Sequence, residues 1–301
     1  MAMQPNEYIL PMHRNLGVFT SRRIPLFRLF SQFQGKAGGF TQGRDRSFHF
    51  GSQEYKIIGM ISHLGPQLGI ADGIALANKL GSEQKATIVF CGDGGASEGD
   101  FHEALNVATV WDLPVIIAIE NNAWGLSTPS REQFRCKQFI DKAIGYGMPA
   151  EDAIQVDGNN IVEVYTAVKK AAESIRKRPR PILMEFMTFR LRGHEEASGT
   201  KYYPDGLISE WEKKDPVDNY EAWLHERGII SEQEEGQIRA ELKQQINDAL
   251  KIAYAEPDIT PETDKEITDL FAPFANVEIK DRKSTRLNSS HCSVSRMPSS
   301  A

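Results

Sequence analysis

Ala86-Thr87-Ile88-Val89-Phe90-Cys91 runs straight into Gly92-Asp93-Gly94-Gly95-Ala96-Ser97-Glu98-Gly99-Asp100. The first six residues are apolar or β-branched with no polar alternation, the pattern of a strand buried on both faces. The glycines and acids that follow make a tight turn. After it Phe101, Ala104, Leu105, Ala108 and Trp111 recur at helical spacing. Pro114-Val115-Ile116-Ile117-Ala118-Ile119 and Pro181-Ile182-Leu183-Met184-Glu185-Phe186 read as two more buried strands, and Ala153-Ile154-Gln155-Val156 as a weaker one. Helical stripes lie between them: Leu68, Ala71, Ile74, Ala75 and Ala77, and then Ile161, Val164, Tyr165, Val168, Ala171, Ala172 and Ile175. Strand and helix in alternation predict an α/β fold with a parallel central sheet and helices on both faces. From Tyr202 the pattern is helical only. Ser231 with Glu234 predicts a capping box opening a long outer helix with Ile238, Leu242, Ile246 and Leu250 on one side, a helical C-terminal extension. The stretch 22–52, rich in Gly and Arg, reads as long loops with short helices.

The composition is that of a soluble globular protein. The 301 residues are 40% apolar and 25% charged, with a net charge of −6. Mild acidity argues against nucleic acid as the main partner, which requires a concentrated basic face. No apolar run reaches the roughly 18 residues that would cross a bilayer, and the first residues lack the basic flank and apolar core of a secretory signal. Cys91, Cys136 and Cys292 are too few and too scattered for a disulfide frame or a zinc site, which fits a reducing, cytoplasmic setting. Residues 281–301 differ from the rest. They carry four basic residues and one acid, a net of +3, so residues 1–280 carry −9. Seven serines and no apolar periodicity predict disorder there. The wording of this tail resembles translated adapter sequence. We therefore read 1–280 as one domain truncated at its C-terminal end, 281–301 as a non-native tail, and expect the natural protein to continue past residue 280.

In an open parallel sheet, ligands bind where strands end at the carboxyl edge. Gly94 and Gly95 let backbone amides approach a ligand there. Ser97 with Asp100 predicts a cap that turns the helix N-terminus toward Asp93. Amides and a positive helix end suit an anion, and a carboxylate beside them suits Mg²⁺ bridging to phosphate. Three other readings fail. A dinucleotide-binding turn needs a glycine where Ser97 stands, a Walker loop needs Gly-Lys-Ser/Thr, and an EF-hand starting at Asp93 needs glycine at Glu98 and glutamate at Ala104. The next strand ends in Glu120-Asn121-Asn122-Ala123-Trp124-Gly125. The 26 residues between Gly94 and Asn121, positions 95–120, suffice for one helix and one strand, which sets Asn122 beside Asp93 as a second hard ligand.

Gly92-Asp93-Gly94, that spacer and Asn121-Asn122 resemble the thiamine diphosphate motif. The likeness extends from about Met12 to about Phe274, through "MHRNLG" (12–17), "GRDRSFHFGS" (43–52), "GMISHLGPQLGIADGIALA" (59–77), "GDGGASEGDFHEALN" (92–106), "ENNAWGLSTP" (120–129) and "TFRLRGHEEASG" (188–199). In this order the motifs resemble the α subunit of the decarboxylating first component of 2-oxo acid dehydrogenases. The resemblance implies a thiamine-diphosphate-binding fold. It implies that Asp93 and Asn122 hold Mg²⁺ with the backbone carbonyl of Trp124, and that Gly94 and Gly95 contact the diphosphate. His13-Arg14 stand where the family has a Tyr-Arg pair on the same diphosphate; Arg14 keeps the fork suited to phosphate, while His13 departs from Tyr. Ser62-His63-Leu64 match the segment at the aminopyrimidine ring, with Leu64 under the bend of the cofactor and His63 a candidate to face substrate. His194 matches the loop histidine that reaches the reactive end. Mammalian relatives carry a regulatory serine directly after it; Glu195 stands here, so kinase control at this position is not expected.

The same resemblance implies oxidative decarboxylation of a 2-oxo acid, with the acyl group passing to the lipoyl arm of a transacylase. A β subunit, or a fused β half, is expected to supply the glutamate that activates the cofactor, in an α2β2 assembly or a fused homodimer. The truncated tail favours the fused form. "HFGS" with Gln53-Glu54, and Ser62-His63-Leu64, look closer to the branched-chain enzyme, acting on 3-methyl-2-oxobutanoate; Glu120 is more like the pyruvate enzyme. A transketolase-like enzyme shares the cofactor motif but lacks the His-Glu loop context, and a non-catalytic scaffold subunit is disfavoured by Asp93, Asn122, Arg14 and His194 together.

Overall fold

A computed structural model describes residues 1–45 and 48–269. The expected tail 281–301 and the end of the 1–280 domain lie outside the described residues. The chain divides into a unit Met1–Ile259 and a second unit Thr260–Ala301, in which Thr263–Thr268 forms a short helix.

The first unit begins with β1 (Ile9–Leu10), α1 (Leu16–Ser21), α2 (Leu26–Phe33) and α3 (Pro66–Leu80). The run that decided the fold is β2 (Thr87–Gly92) and α4 (Gly99–Val110), followed by β3 (Val115–Asn121). A two-stranded antiparallel ribbon, β4 (Trp124–Gly125) and β5 (Thr128–Pro129), precedes β6 (Ala153–Asp157), α5 (Ile161–Lys177) and β7 (Ile182–Met187). The helical extension is α6 (Leu207–Glu212), α7 (Pro216–Glu226) and α8 (Glu232–Ala255).

The main sheet has the order β1-β2-β3-β7-β6, with every pair parallel. Side chains alternate across it. On one face Val89, Cys91, Val115, Ile117, Ile119 and Leu183 pack under α3 and α4 with Phe101 and Phe139. On the other, Ile88, Ile116, Ala118, Ile182, Met184 and Phe186 meet Val168, Ala171, Ala172 and Ile175 of α5. Both faces are thus covered, as the unbroken apolar runs predict. Each fully buried Ile or Leu contributes about 2 kcal/mol by its transfer from water. Register levels the strand ends: Gly92 pairs with Glu120, and Asn121 with Met187.

Several local expectations shift. Ala77, Trp111, Ile161 and Tyr165 leave their predicted stripes and are exposed, while Asn78 takes a buried position on α3. The capping box at Ser231 forms, with the Ser231 hydroxyl accepting from the Glu234 N–H at 3.2 Å. Yet Ile238, Leu242 and Ile246 are exposed, and α8 is anchored through Ala249 and Ala253. No helix among the described residues is long and apolar enough to cross a membrane.

Candidate functional site

The level strand ends place Asp93, directly after β2, beside Asn122, directly after β3. Asp93 is 1% exposed. Its carboxyl accepts from the Ser130 hydroxyl at 3.1 Å and from the Asn122 backbone. Burial pushes its pKa up, and these hydrogen bonds only partly offset that. A cation would reverse such a shift. Asn122 turns its Oδ1 toward the Trp124 N–H, 3.2 Å away. Trp124 itself is buried, its ring against Tyr202 and Tyr203.

The glycine turn departs from its expected form. Residues Gly95–Ser97 make one 3-10 turn and α4 starts after Glu98 with no side-chain cap. Ser97 donates instead to the Asp93 carbonyl at 3.4 Å, and Asp100 lies against Gly65. The glycines are there for room. A methyl group on Gly94 would sit 3.0 Å from the Gly125 Cα; one on Gly95 would sit 3.0 Å from the Cys91 Sγ and 3.2 Å from the Leu64 Cβ. This contact brings Leu64 to the glycine turn. Burial pushes the Cys91 thiol up to about 12, which leaves it inert.

His194 sits where two arginines meet. Its Nδ1 is 3.0 Å from Arg14 and 2.9 Å from Arg190, and Arg14 also donates to the His194 carbonyl. Guanidinium groups only donate, so Nδ1 is the acceptor and Nε2 carries the proton. Burial and then the charges of Arg14 and Arg190 push the His194 pKa down, which keeps the ring neutral. The His194 N–H donates to the Tyr202 hydroxyl at 2.9 Å, tying the loop to the ring that covers Trp124. His13 has its pKa lowered by burial, then by Arg14, His194 and His49, so it belongs to the same cluster. Ser62 joins through His49, with Nε2 and Oγ 2.6 Å apart. His63 is exposed.

Apart from His63, the residues expected from sequence lie together, with Arg14 on the His194 loop. Sequence reasoning missed Arg190, Ser130, Asn15, His49 and Tyr202. Arg190 was visible inside the quoted 188–199 motif, four residues before His194. It is 8% exposed, donates to the Leu126 carbonyl at 2.7 Å, and its Nε has no partner. Asn15 donates to Glu120 at 2.6 Å, and burial pushes that carboxyl up. Hard oxygen donors at Asp93 and Asn122, two successive glycines at 94 and 95, and an orphaned buried Arg190 N–H fit a cation with an anionic cofactor.

Other features stand apart. A groove of about 850 Å³ with mainly apolar walls over α5 touches the site only at Arg14, Asn15 and Glu120. Glu221, His225 and Glu235 have the spacing of metal ligands, within 4.8 Å of one another. Arg239 pairs with both glutamates and His225 lies 2.9 Å from Glu235, so this is an ion-pair network joining α7 to α8.

The "Dehydrogenase E1 component" family model matches residues 1–262. The chain is 35% identical over 255 residues to the 2-oxoisovalerate dehydrogenase subunit alpha 1, mitochondrial, of Arabidopsis thaliana, covering 84% of this chain and 53% of the relative. It is 36% identical to the Bacillus subtilis 2-oxoisovalerate dehydrogenase subunit alpha, over 85% of this chain and 78% of the relative. The pyruvate dehydrogenase E1 component subunit alpha of the same bacterium is 32% identical over 89% of this chain and 68% of its own length. The chain thus spans about half the length of the plant relatives it matches. With the family model covering most of its length, the chain belongs to the dehydrogenase E1 component family.

Proposed function

We propose that this chain is the α part of a decarboxylating 2-oxo acid dehydrogenase component of branched-chain type, acting on 3-methyl-2-oxobutanoate. It binds thiamine diphosphate and Mg²⁺ together with a β part, a separate subunit or a fused half, in an α2β2 assembly or a fused homodimer. The acyl group passes to the lipoyl arm of a transacylase, and the setting is cytoplasmic. The observation that carries this reading is the convergence of Arg14 and Arg190 on His194, beside a carboxylate and an amide at adjoining strand ends.

Bound thiamine diphosphate supplies the electron sink that lets a 2-oxo acid lose carbon dioxide. The chain's own residues bind, orient and exclude water. Asp93, the Asn122 side chain and the Trp124 carbonyl hold the cation. Gly94 and Gly95 would admit the diphosphate close to the backbone, and His13 and Arg14 would help hold it. Leu64, set against Gly95, and Ser62, bonded to His49, would help bound the space that the cofactor's rings need. His194 offers the Nε2–H as a fixed donor to negative charge developing on the substrate oxygen. It needs no protonation to do so, because the two arginines hold its Nδ1.

The test is the chain assembled with its β part, given thiamine diphosphate, Mg²⁺ and in turn 3-methyl-2-oxobutanoate, pyruvate and a ketose phosphate. Fastest turnover with the branched 2-oxo acid is expected. Faster turnover with pyruvate would move the assignment to the pyruvate enzyme, and activity with the ketose alone would reject it. An inert scaffold would bind no cofactor in calorimetry.

A further inference from the structure

Asn121 is the first member of the Asn pair, and the cation reading gives it no task. It is 5% exposed, and both ends of its amide are used. Its Nδ2 donates to Glu185 Oε1 at 2.7 Å, and its Oδ1 accepts from the Ala123 N–H at 2.9 Å. Ala123 has φ +65°, a conformation that a residue with a Cβ adopts only when its surroundings hold it. Glu185 is fully buried in the middle of β7, opposite Ile119 of β3 and Gln155 of β6. Its other oxygen accepts from the Phe139 N–H at 3.0 Å, the Ile140 N–H at 3.5 Å and the Gln155 side chain at 3.3 Å.

We propose that Glu185 is a positioning residue: it fixes the orientation of the Asn121 amide and so locks the 121–124 turn that presents Asn122 and Trp124. A carboxylate surrounded by donors only accepts, so Asn121 must point its Nδ2 at Glu185. Its Oδ1 is then the atom left facing Ala123, where it stabilises the left-handed residue and with it the placement of the next carbonyl. A glutamine at 185 breaks this logic. Its one carbonyl oxygen goes to the three donors at Phe139, Ile140 and Gln155, and its NH₂ then faces the Asn121 NH₂. Asn121 must flip, which turns an NH₂ toward the Ala123 N–H and removes the bond that holds the turn.

The inference rests on the cation reading above, and the test separates the two. Amide hydrogen exchange on the full chain is read at Ala123 and Trp124, with no cofactor present. Glu185→Gln and Asn121→Ala are expected to speed exchange there at least about tenfold, the effect of one lost hydrogen bond to a charge-anchored acceptor. Gln155→Met removes a Glu185 partner off the path to Asn121 and should leave Ala123 at its original rate. In Asn121→Ala, Phe139 and Ile140 should also keep theirs, so this variant decides if Glu185→Gln fails to fold. A second readout is Mn²⁺ binding, by electron paramagnetic resonance, to the chain assembled with its β part and thiamine diphosphate. Glu185→Gln and Asn121→Ala should weaken it by roughly 10–100-fold, and Gln155→Met should not. Wild-type exchange at Ala123 in the first two variants, or unchanged Mn²⁺ affinity beside a wild type that binds, would overturn the proposal. A wild-type assembly that binds no Mn²⁺ would overturn the cation reading itself.

Discussion

The two ends of the same sheet are built on opposite terms. At the amino end the charges are closed in pairs. Glu7 is fully buried and accepts from Arg176 through both oxygens at 2.7 Å, from the Ala86 N–H at 2.8 Å and from the Gln4 N–H at 2.7 Å. Asp152 takes the Nε of Arg180 at 2.8 Å just ahead of β6. Here every buried charge has a partner, and the result is a clamp that ties the first residues, the start of β2 and the end of α5 together. At the carboxyl end the charges stay open. Asp93 is held above the usual carboxylate range by burial, Arg190 keeps an orphaned N–H, and two like-charged guanidinium groups share one neutral imidazole. The fold tolerates open polar groups where a ligand would complete them, and closes them where only the chain is present.

The sharpest way to break this contrast is to remove one charge at each end. Asp93→Ala should abolish cation-dependent cofactor binding, exceeding the roughly 10–100-fold that loss of a supporting group costs. Calorimetry on the assembled protein reads it. The thermal midpoint of the chain alone should not fall, because a buried carboxylate with a raised pKa costs stability. Unchanged cofactor affinity would end the metal-ligand assignment. Glu7→Ala should do the reverse. It leaves Arg176 buried without its partner and should destabilise by about 3–5 kcal/mol in chemical denaturation, with no direct effect on the cofactor groups. A Glu7 variant of wild-type stability would show that the amino-end clamp is not what closes the fold.

How much of this was legible depends on what each residue's role rests on. β2, β3 and β7 show in the sequence because burial on both faces imposes an unbroken apolar run, and α5 because burial of one stripe imposes a helical period. β1 does not, since two residues make no period and Ile9 and Leu10 join the sheet only by tertiary pairing. Asp93, Asn122 and His194 show because spacing and motif place them. Arg190 shares the motif with His194, but its task and that of Glu185 exist only once the chain has folded: one partner of Arg190 lies 64 residues away, as does Asn121 from Glu185. Glu185 even sits inside an apolar run that reads as plain strand. The exposed row Ile238, Leu242 and Ile246 is legible as amphipathic, yet periodicity says only that a face is apolar, not what it meets.

Asp72 tests whether open polar groups are confined to the site. It lies in α3, 5% exposed, with neither carboxylate oxygen hydrogen-bonded, and it lines a cavity of about 320 Å³ with Asp100 and Glu103. Burial raises its pKa from 3.8 to about 7. Between those values the folded chain keeps a proton that the unfolded chain has lost. The sign follows: stability falls as pH rises from about 4 to about 7, and the whole penalty is present above 7. Asp72→Asn should remove that slope and raise stability at pH 8 by at least ~1.4 kcal/mol, read by urea denaturation at several pH values. An unchanged slope would mean that Asp72 finds a donor in solution, and the contrast between the two ends would then be stricter.

The smallest expected effect lies inside the His194 loop, at two arginines two positions apart. Arg192 pairs with Glu196 at 2.6 Å, but the two side chains are 80% and 78% exposed. Such a pair contributes about 0.2–1 kcal/mol and is screened by salt. Arg192→Ala should therefore shift the thermal midpoint hardly at all and leave the rate of the proposed decarboxylation as it was. Arg190→Ala removes a buried donor from both the His194 Nδ1 and the Leu126 carbonyl, and frees the imidazole to change tautomer. The turnover number should fall by about tenfold or more, while the Michaelis constant changes less, because in the proposed reaction the affected donor acts on developing charge and not on ground-state binding. Arg14 still reaches Nδ1, so part of the tautomer preference survives and activity should not vanish. Equal effects from Arg190 and Arg192 would mean that the loop works by its net positive charge alone. The open, buried guanidinium would then have no special part, and the carboxyl end would differ from the amino end only in how many of its groups remain unpaired.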